Sequence, residues 1–410
     1  WGLEAAEIGR VTADGMLRVR EGERVVAELP ARLLSDEAPV YERPLRPPTE
    51  LEERWQLPEL DEPAATDAAA WTGLLERMLT SPNLASRRWV YEQYDYQVRT
   101  NTVIGPGADA AVLRIPGSRR GLALTTDGNG RLAFLDPYRG GMLAVAEAAR
   151  NVACVGARPL GLTNCLNFGN PERPEIMWQF SQVIDGMAAA AAALGTPVTG
   201  GNVSFYNETM GENIYPTPVI GMVGVIDDVA TALRSGWRAE GDRIVLLGPL
   251  AGSLAGSEYL RWIHRRVAGR PPAVDLELER RLIELLLAAH ARGWLRSAHD
   301  LADGGLAVAL AECCLAAAGA GLGAGVQLPS SARSDELLFG EAPSRVIVSV
   351  APDHVEDLLA LAAQWSVPAC SIGVVGGTRL DIAVGGVRTI SANVSQLADA
   401  WNGAIGRWMS

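Results

Sequence analysis

Between residues 275 and 293, in DLELERRLIELLLAAHARG, Leu278, Leu282, Leu285 and Leu286 return at helical spacing while Glu277, Arg280, Arg281 and Glu284 fall on other faces. That spacing predicts an amphipathic helix with one buried stripe. The runs GMLAVAEAARNVACVG (141–156) and MWQFSQVIDGMAAAAAALG (177–195) predict two more helices, each stopping at a glycine, the residue that most readily takes the left-handed closing conformation. LAVALAECCLAAAG (306–319) and DHVEDLLALAAQW (353–365) predict a further two. Apolar or β-branched runs bounded by turn signals predict strands at 110–116, 122–127, 218–226, 243–249 and 344–352. Alternation of the two periods predicts an α/β (α+β) architecture.

The ends of the chain carry a different pattern. VTADGMLRVREGERVVAELP, with Asp14-Gly15 and Glu21-Gly22 as turn signals, predicts a two-stranded hairpin. A lone hairpin is marginal in water, so residues 1–35 are expected to be the tail of a preceding domain. Residues 36–70 concentrate proline and acid and predict an extended linker that wraps or spans. Two domains are expected beyond it, at 71–239 and 240–410, in keeping with roughly 100–200 residues per domain.

Composition narrows the function. A formal charge of −12 argues against a general nucleic-acid surface, which needs clustered positive charge to displace counterions. No apolar run approaches the roughly 20 residues of a membrane span, and WGLEAAEIGR lacks the basic start and apolar core of a signal segment; a cytoplasmic protein without membrane contact is expected. The five cysteines form no C-x-x-C pair and the four histidines no H-E-x-x-H, so neither a zinc site nor a disulfide framework is predicted. All 36 basic residues are arginine. A P-loop ending in Gly-Lys-Ser/Thr therefore cannot exist, and phosphate would be held by backbone N–H groups, arginine or a metal ion.

Several residues could do such work. Asp109 follows GPG, Asp127 ends the strand LALTTD, and Asp303 precedes a glycine pair and a helix; ligands in open α/β folds gather at strand ends, although each aspartate also suits a turn or N-cap. Glu147 and Asn151 are four apart and share a helix face among small alanines. They offer the hard oxygens Mg²⁺ prefers, or else form a solvated face. The Gly200-Gly201-Asn202-Val203-Ser204 turn after a short strand presents an amide and a hydroxyl where the backbone approaches closely. Asn164 and Asn167 add amides in an apolar context, costly if unpaired. No cysteine sits on a Gly-x-Cys-x-Gly elbow, so ammonia release by a thiol is not expected.

Taken in order, NTVIGPGADAAVLRIP, LDPYRGGMLAVAEAARNVACVGARP, TNCLNFGNPERPEIMWQF, GGNVSFYNET, SAHDLADGGLAVALAE and LLFGEAPSRVIVSV resemble the second, C-terminal half of the phosphoribosylformylglycinamidine synthase family of purine biosynthesis. The resemblance implies an AIR synthetase-like fold of two domains, the first pairing its sheet with a partner domain into a barrel-like centre. It implies an ATP-dependent carbon–nitrogen ligase, in which ATP and Mg²⁺ activate the formamide oxygen of formylglycinamide ribonucleotide and ammonia displaces the phosphate. The implied partners are the N-terminal half of the synthetase, a PurQ-type glutaminase subunit and a small PurS-type subunit. By resemblance Asn164 and Gly201 contact ATP, Asn202 binds magnesium and Ser204 contacts the ribonucleotide. Asp109, Glu147, Asn151 and Asp303 match the magnesium ligands of a second, auxiliary nucleotide site, which would hold ATP or ADP.

Two departures qualify the resemblance. TTDGNGR has glycine on both sides of Asn129, where relatives often show Cys and Pro. The family's catalytic histidines belong to the other half, so no catalytic residue is assigned and the chain alone is expected to be inactive. A different class of reading makes it a non-catalytic nucleotide and Mg²⁺ scaffold that stabilises the synthetase assembly. A third, a kinase-like relative such as thiamine-monophosphate kinase, accounts for fewer of the phrases.

Overall fold

The computed structural model describes residues 1–60, 67–316, 321–329 and 333–410. Residues 61–66 of the expected linker and 317–319 of the expected helix 306–319 lie outside the described residues. Trp1–Pro44 and Leu45–Ser410 are separate compact units. The first contains the expected hairpin, Met16–Glu21 paired antiparallel with Arg24–Pro30. Val19, Val25 and Val26 on it are exposed.

The larger unit is a two-domain α+β fold built on two mixed sheets. The first has six strands in the order Thr102–Ile104, Ala111–Arg114, Gly121–Asp127, Thr217–Ile226, Arg158–Asn167, Val198–Ser204. Its last pair is parallel and the others antiparallel. The second has seven, in the order Leu295–Asp300, Val346–Val350, Arg243–Leu247, Ala369–Val375, Ala324–Leu328, Arg379–Val384, Val387–Asn393.

Side chains alternate across a strand, and Arg243–Leu247 shows the consequence. Val245 and Leu247 enter a core shared with the first sheet, whereas Ile244 and Leu246 enter a second core on the far face. The shared core holds Val145 and Val152 of helix Pro137–Cys154, Val183 and Met187 of Pro174–Leu194, and Leu282 and Leu286 of Leu276–Ala291. These helices lie between the sheets, so the two domains bury apolar surface together.

Two corrections to the sequence reading follow. Residues Gly200 to Ser204, expected as a turn, continue one strand, Val198–Ser204, in parallel register with Thr163–Asn167. Glycine serves close approach there, because a Cβ on Gly201 would sit 2.0 Å from Asn164 Oδ1. Helix Ala68–Leu79, assigned by chain order to the first domain, places Trp71, Leu75, Met78 and Leu79 in the second domain's far-face core. An apolar stripe specifies burial and leaves open which core receives it.

The helix expected from 141 starts earlier, at Pro137, behind an Asp136 cap that accepts the Arg139 N–H at 3.1 Å. Its internal glycines permit a close helix crossing. A Cβ on Gly141 would lie 2.4 Å from Val183 O, and one on Gly186 would lie 2.0 Å from Tyr138 O. Gly186→Val is expected to force the helices apart and destabilise the protein by about 3 kcal/mol. Urea unfolding checks this, and an unchanged midpoint would show that the crossing has room to give.

Within the larger unit, residues 45–60 form a strap against its two domains. Leu51 is buried, Trp55 Nε1 donates to Leu135 O at 2.8 Å, and the Arg54 guanidinium lies 4.0 Å over the Phe134 ring. Arg46 N donates to Pro174 O at 3.2 Å and Gly269 N to Arg54 O at 2.8 Å. Thus the strap touches both domains.

Candidate functional site

Strand Gly121–Asp127 ends at Asp127, helix Pro137–Cys154 turns Glu147 and Asn151 the same way, and the loop after Leu295–Asp300 supplies Asp303. Asp109 joins them from the loop before Ala111–Arg114. All five line one cavity of about 870 Å³ between the two domains, within the range that holds small-molecule ligands. Leu84, Tyr91, Met222 and Trp401 line it as well, adding an apolar portion to a strongly acidic one.

The acidic portion is short of positive charge. Burial raises Glu147 well above the ordinary carboxylate range, and the nearby Asp127, Asp300 and Asp303 raise it further against the opposing effect of Arg150. Asp127 is pushed up to about 7, chiefly by burial, although Thr125 Oγ1 and Asn151 Nδ2 donate to it at 2.8 and 2.7 Å. Asp303 is raised by burial, which outweighs Arg131 and the Asn129 amide. Carboxylates gathered out of water without matching cations favour proton uptake or a bound cation.

Asp109 is held differently. His299 Nδ1 lies 2.9 and 3.1 Å from its two oxygens, and Asp300 N donates to Oδ1 at 2.7 Å. His299 Nε2 meets Glu312 at 3.1 Å. Burial alone would lower the pKa of the imidazole, but Asp109 and Glu312 reverse this and hold it well above its usual value. The charged ring donates from both nitrogens. Asp109 therefore ties the first domain's loop to the second domain's strand, and the carboxylate that shares Asn151 with the cavity is Asp127.

The remaining expected residues lie elsewhere. Asn164 and Gly201 face each other in register, followed by Cys165 with Asn202 and Asn167 with Ser204. Gly201 and Asn202 are exposed on the outermost strand and Asn164 is half-buried. Ser204 Oγ approaches Asn207 Oδ1 at 3.3 Å. None of the four lines the cavity, so the structure separates the expected residues into a cavity group and a sheet-edge group. Leu160, Val198 and Val203 are exposed on the last two strands of the same sheet, leaving apolar area uncovered near that edge.

Sequence reasoning passed over His299 and Asp300, whose signal is HDLADGG itself, a strand end offering two further polar groups ahead of Asp303, and over Glu312 in the helix that follows. It also left the buried ion pairs unassigned. Arg150 Nη1 meets Glu279 at 2.7 Å and Arg150 Nη2 meets Asp300 at 3.3 Å. Charge patterning along one helix cannot show that such partners come from two other elements.

The cavity can be matched to a divalent ion by its donors. Among the described residues no three His, Cys, Asp or Glu side chains form a metal-holding group by themselves. This donor set suits Mg²⁺, which usually takes one or two carboxylates and completes its shell with phosphate oxygens and water. Glu147, Asp303 and Asp127 would supply the charge and Asn151 a neutral oxygen. Among the described residues, no helix is long and apolar enough to cross a membrane.

Comparison with known proteins sets this geometry in context. Residues 107–226 match the AIR synthase related protein N-terminal domain and residues 239–385 its C-terminal domain. The chain is 52% identical over 407 residues to phosphoribosylformylglycinamidine synthase subunit PurL of Moorella thermoacetica, covering 99% of this chain and 54% of that protein. It is 47% identical over 410 residues to the PurL subunit of Caldanaerobacter subterraneus subsp. tengcongensis, covering 100% and 55%. The chain thus spans about half the length of the curated relatives it matches. In fold it is similar to T. maritima PurL complexed with FGAR, with TM-score 0.66, 19% identity, and 81% and 54% of the two chains covered. The structure of PurLQS from Thermotoga maritima matches with TM-score 0.60 and 25% identity, over 89% of this chain and 49% of that one.

Proposed function

The chain belongs to the AIR synthase related family, within its PurL group, and from that premise we propose that it is the second half of a phosphoribosylformylglycinamidine synthase synthetase. In this reading the whole enzyme converts formylglycinamide ribonucleotide to the amidine with ATP and glutamine-derived ammonia. Its partners are the preceding half, a PurQ-type glutaminase and a small PurS-type subunit.

One observation carries the reading: the outermost strand of the first sheet presents Gly201 and Asn202 to solvent beside uncovered apolar area. An unpaired edge with exposed apolar side chains invites a partner. The preceding half would complete a barrel-like centre there. Gly201, lacking a Cβ, makes room for the Asn164 side chain, whose amide would hold the nucleotide. Ser204 offers its hydroxyl to the ribonucleotide. Magnesium, held in part by Asn202, supplies charge compensation for the phosphates. The formamide oxygen, a poor leaving group, becomes a good one once phosphorylated.

The acidic cavity favours a second, compatible role as an auxiliary nucleotide and Mg²⁺ site. Glu147, Asn151, Asp303 and Asp127 would orient the cation and Asp109 would hold the wall. A nucleotide bound only by the native state stabilises the assembly by mass action.

Supplied with ribonucleotide, ATP, Mg²⁺ and ammonia, the chain alone is expected to form no amidine. Adding the separately expressed preceding half of a PurL subunit is expected to restore it. Asn202→Ala in the reconstituted enzyme should then lower kcat by at least about a hundredfold. Product from the chain alone, measured by phosphate release and mass spectrometry, would refute the division of labour.

A further inference from the structure

The loop Asp127-Gly128-Asn129-Gly130 passes under strand Thr217–Ile226, and its two glycines are required by that passage. A Cβ on Gly128 would lie 2.3 Å from Pro218 O, and one on Gly130 would lie 2.9 Å from Thr217 Oγ1. The glycines thus hold the loop against the strand, with Asn129 directed out between them.

Asn129 uses both ends of its amide. Oδ1 accepts from Arg131 N at 3.1 Å and from Leu132 N at 3.3 Å, capping helix Gly130–Leu135. Nδ2 donates to Asp303 at 3.1 Å to Oδ1 and 3.4 Å to Oδ2. The first contact belongs to the first domain, and the second crosses to a carboxylate of the second domain that lines the cavity. The crossing is reinforced two residues on, where Arg131 Nε donates to Gly256 O at 2.8 Å and Nη1 meets Glu258 at 3.0 Å. Glu258 N and Gly304 N both donate to Glu341 Oε1 at 2.7 Å. The residue after Asp303 is thereby fixed to the same network. Trp55 and Arg54 of the strap secure the far end of the capped helix at Leu135 O and Phe134.

The geometry points to Asn129 as a positioning residue for the auxiliary site: its amide fixes the Asp303 carboxylate in the orientation that receives a magnesium–nucleotide. This rests on the nucleotide reading of the cavity given above. Asp303 would otherwise turn in a loop of two glycines, and a carboxylate that must be oriented after the cation arrives binds it more weakly. Removing a residue that orients a metal-binding side chain typically costs ten- to a hundredfold in metal affinity. Cap and clasp together join helix Gly130–Leu135 of the first domain to the Asp303 loop of the second.

The test separates the cap from the clasp. Asn129→Asp and Asn129→Ser both keep an oxygen that caps a helix, and neither keeps the amide donor. The full chain is titrated with ADP at fixed Mg²⁺, with Mg²⁺ at fixed ADP, and with ADP in chelator, by calorimetry. Both variants are expected to melt within a few degrees of wild type without ligand. Both should need about tenfold more Mg²⁺ for half-maximal ADP binding, with ADP binding in chelator unmoved. Asn129→Gln, which keeps the donor on a longer arm, should recover part of the loss.

Unchanged Mg²⁺ dependence in both variants, with wild type binding normally, would overturn the positioning role and leave the nucleotide reading intact. A loss in Asn129→Asp alone would assign the effect to added charge and also overturn it. Absence of magnesium–ADP binding by wild type would remove the nucleotide reading and this inference together. If Asn129→Ser melts far lower, Asn129→Thr, which also keeps a capping oxygen and carries no charge, takes its place with the same two outcomes.

Discussion

Arg150→Met is expected to destabilise the ligand-free protein by about 3–5 kcal/mol, more than a hundredfold in the folding equilibrium. Arg150, Glu279 and Asp300 have side chains only 3%, 0% and 5% exposed. The guanidinium reaches Glu279 at 2.7 Å and holds Asp300 with two nitrogens. Glu279 also accepts from Ser344 Oγ at 2.6 Å. Methionine fills much of the same volume, so the loss would come from charge. Two carboxylates remain out of water, and Glu147, already raised by burial and its acidic neighbours, loses the opposing effect of Arg150 and is pushed higher still.

Breaking one member of a buried network costs more than replacing the whole of it. Arg150→Met combined with Glu279→Gln and Asp300→Asn is therefore expected to recover a large part of the loss. Urea unfolding of the single and triple variants decides. A single variant within about 1 kcal/mol of wild type would mean that water reaches the pair and screens it.

This network also shows where the sequence was legible and where it stopped. The five expected helices and five expected strands occur, because apolar periodicity is a local property that survives any arrangement of the domains. Glu147 and Asn151 were readable as a pair because four residues bring side chains onto one helix face. The stacking of helices between the sheets was not readable, since Arg150 meets Glu279 and Asp300 across 129 and 150 residues of chain. Asn129 failed as a local signal for the same reason. Glycine neighbours suggest a loose loop until strand Thr217–Ile226 is seen against them. The edge strand was misread because GGN is turn chemistry in isolation and close-packed strand beside Asn164.

Glu147→Gln is expected to stabilise the ligand-free chain while abolishing stabilisation by magnesium–ADP. In chelator the wild-type site holds Glu147, Asp127 and Asp303 with raised pKa values, Asp127 at about 7. A carboxylate raised on folding takes up protons near neutrality. The stability it contributes is complete below its unfolded value near about 4 and is lost as pH climbs through the folded value. The metal-free melting temperature should therefore fall between about pH 5 and about pH 8. The neutral amide in the Glu147→Gln variant removes one buried charge, which should flatten that slope and add about 1–3 kcal/mol at about pH 8. With ligand the order reverses. At about a hundred times its Kd, magnesium–ADP stabilises a native-specific site by about 2.7 kcal/mol, and the shift should be larger at about pH 8 than at about pH 6 because the cation replaces protons. Glu147→Gln should show almost none of it. A Glu147→Gln chain that melts lower than wild type in chelator, or that keeps its full magnesium–ADP shift, would show that the carboxylate is already compensated and that the cation binds elsewhere.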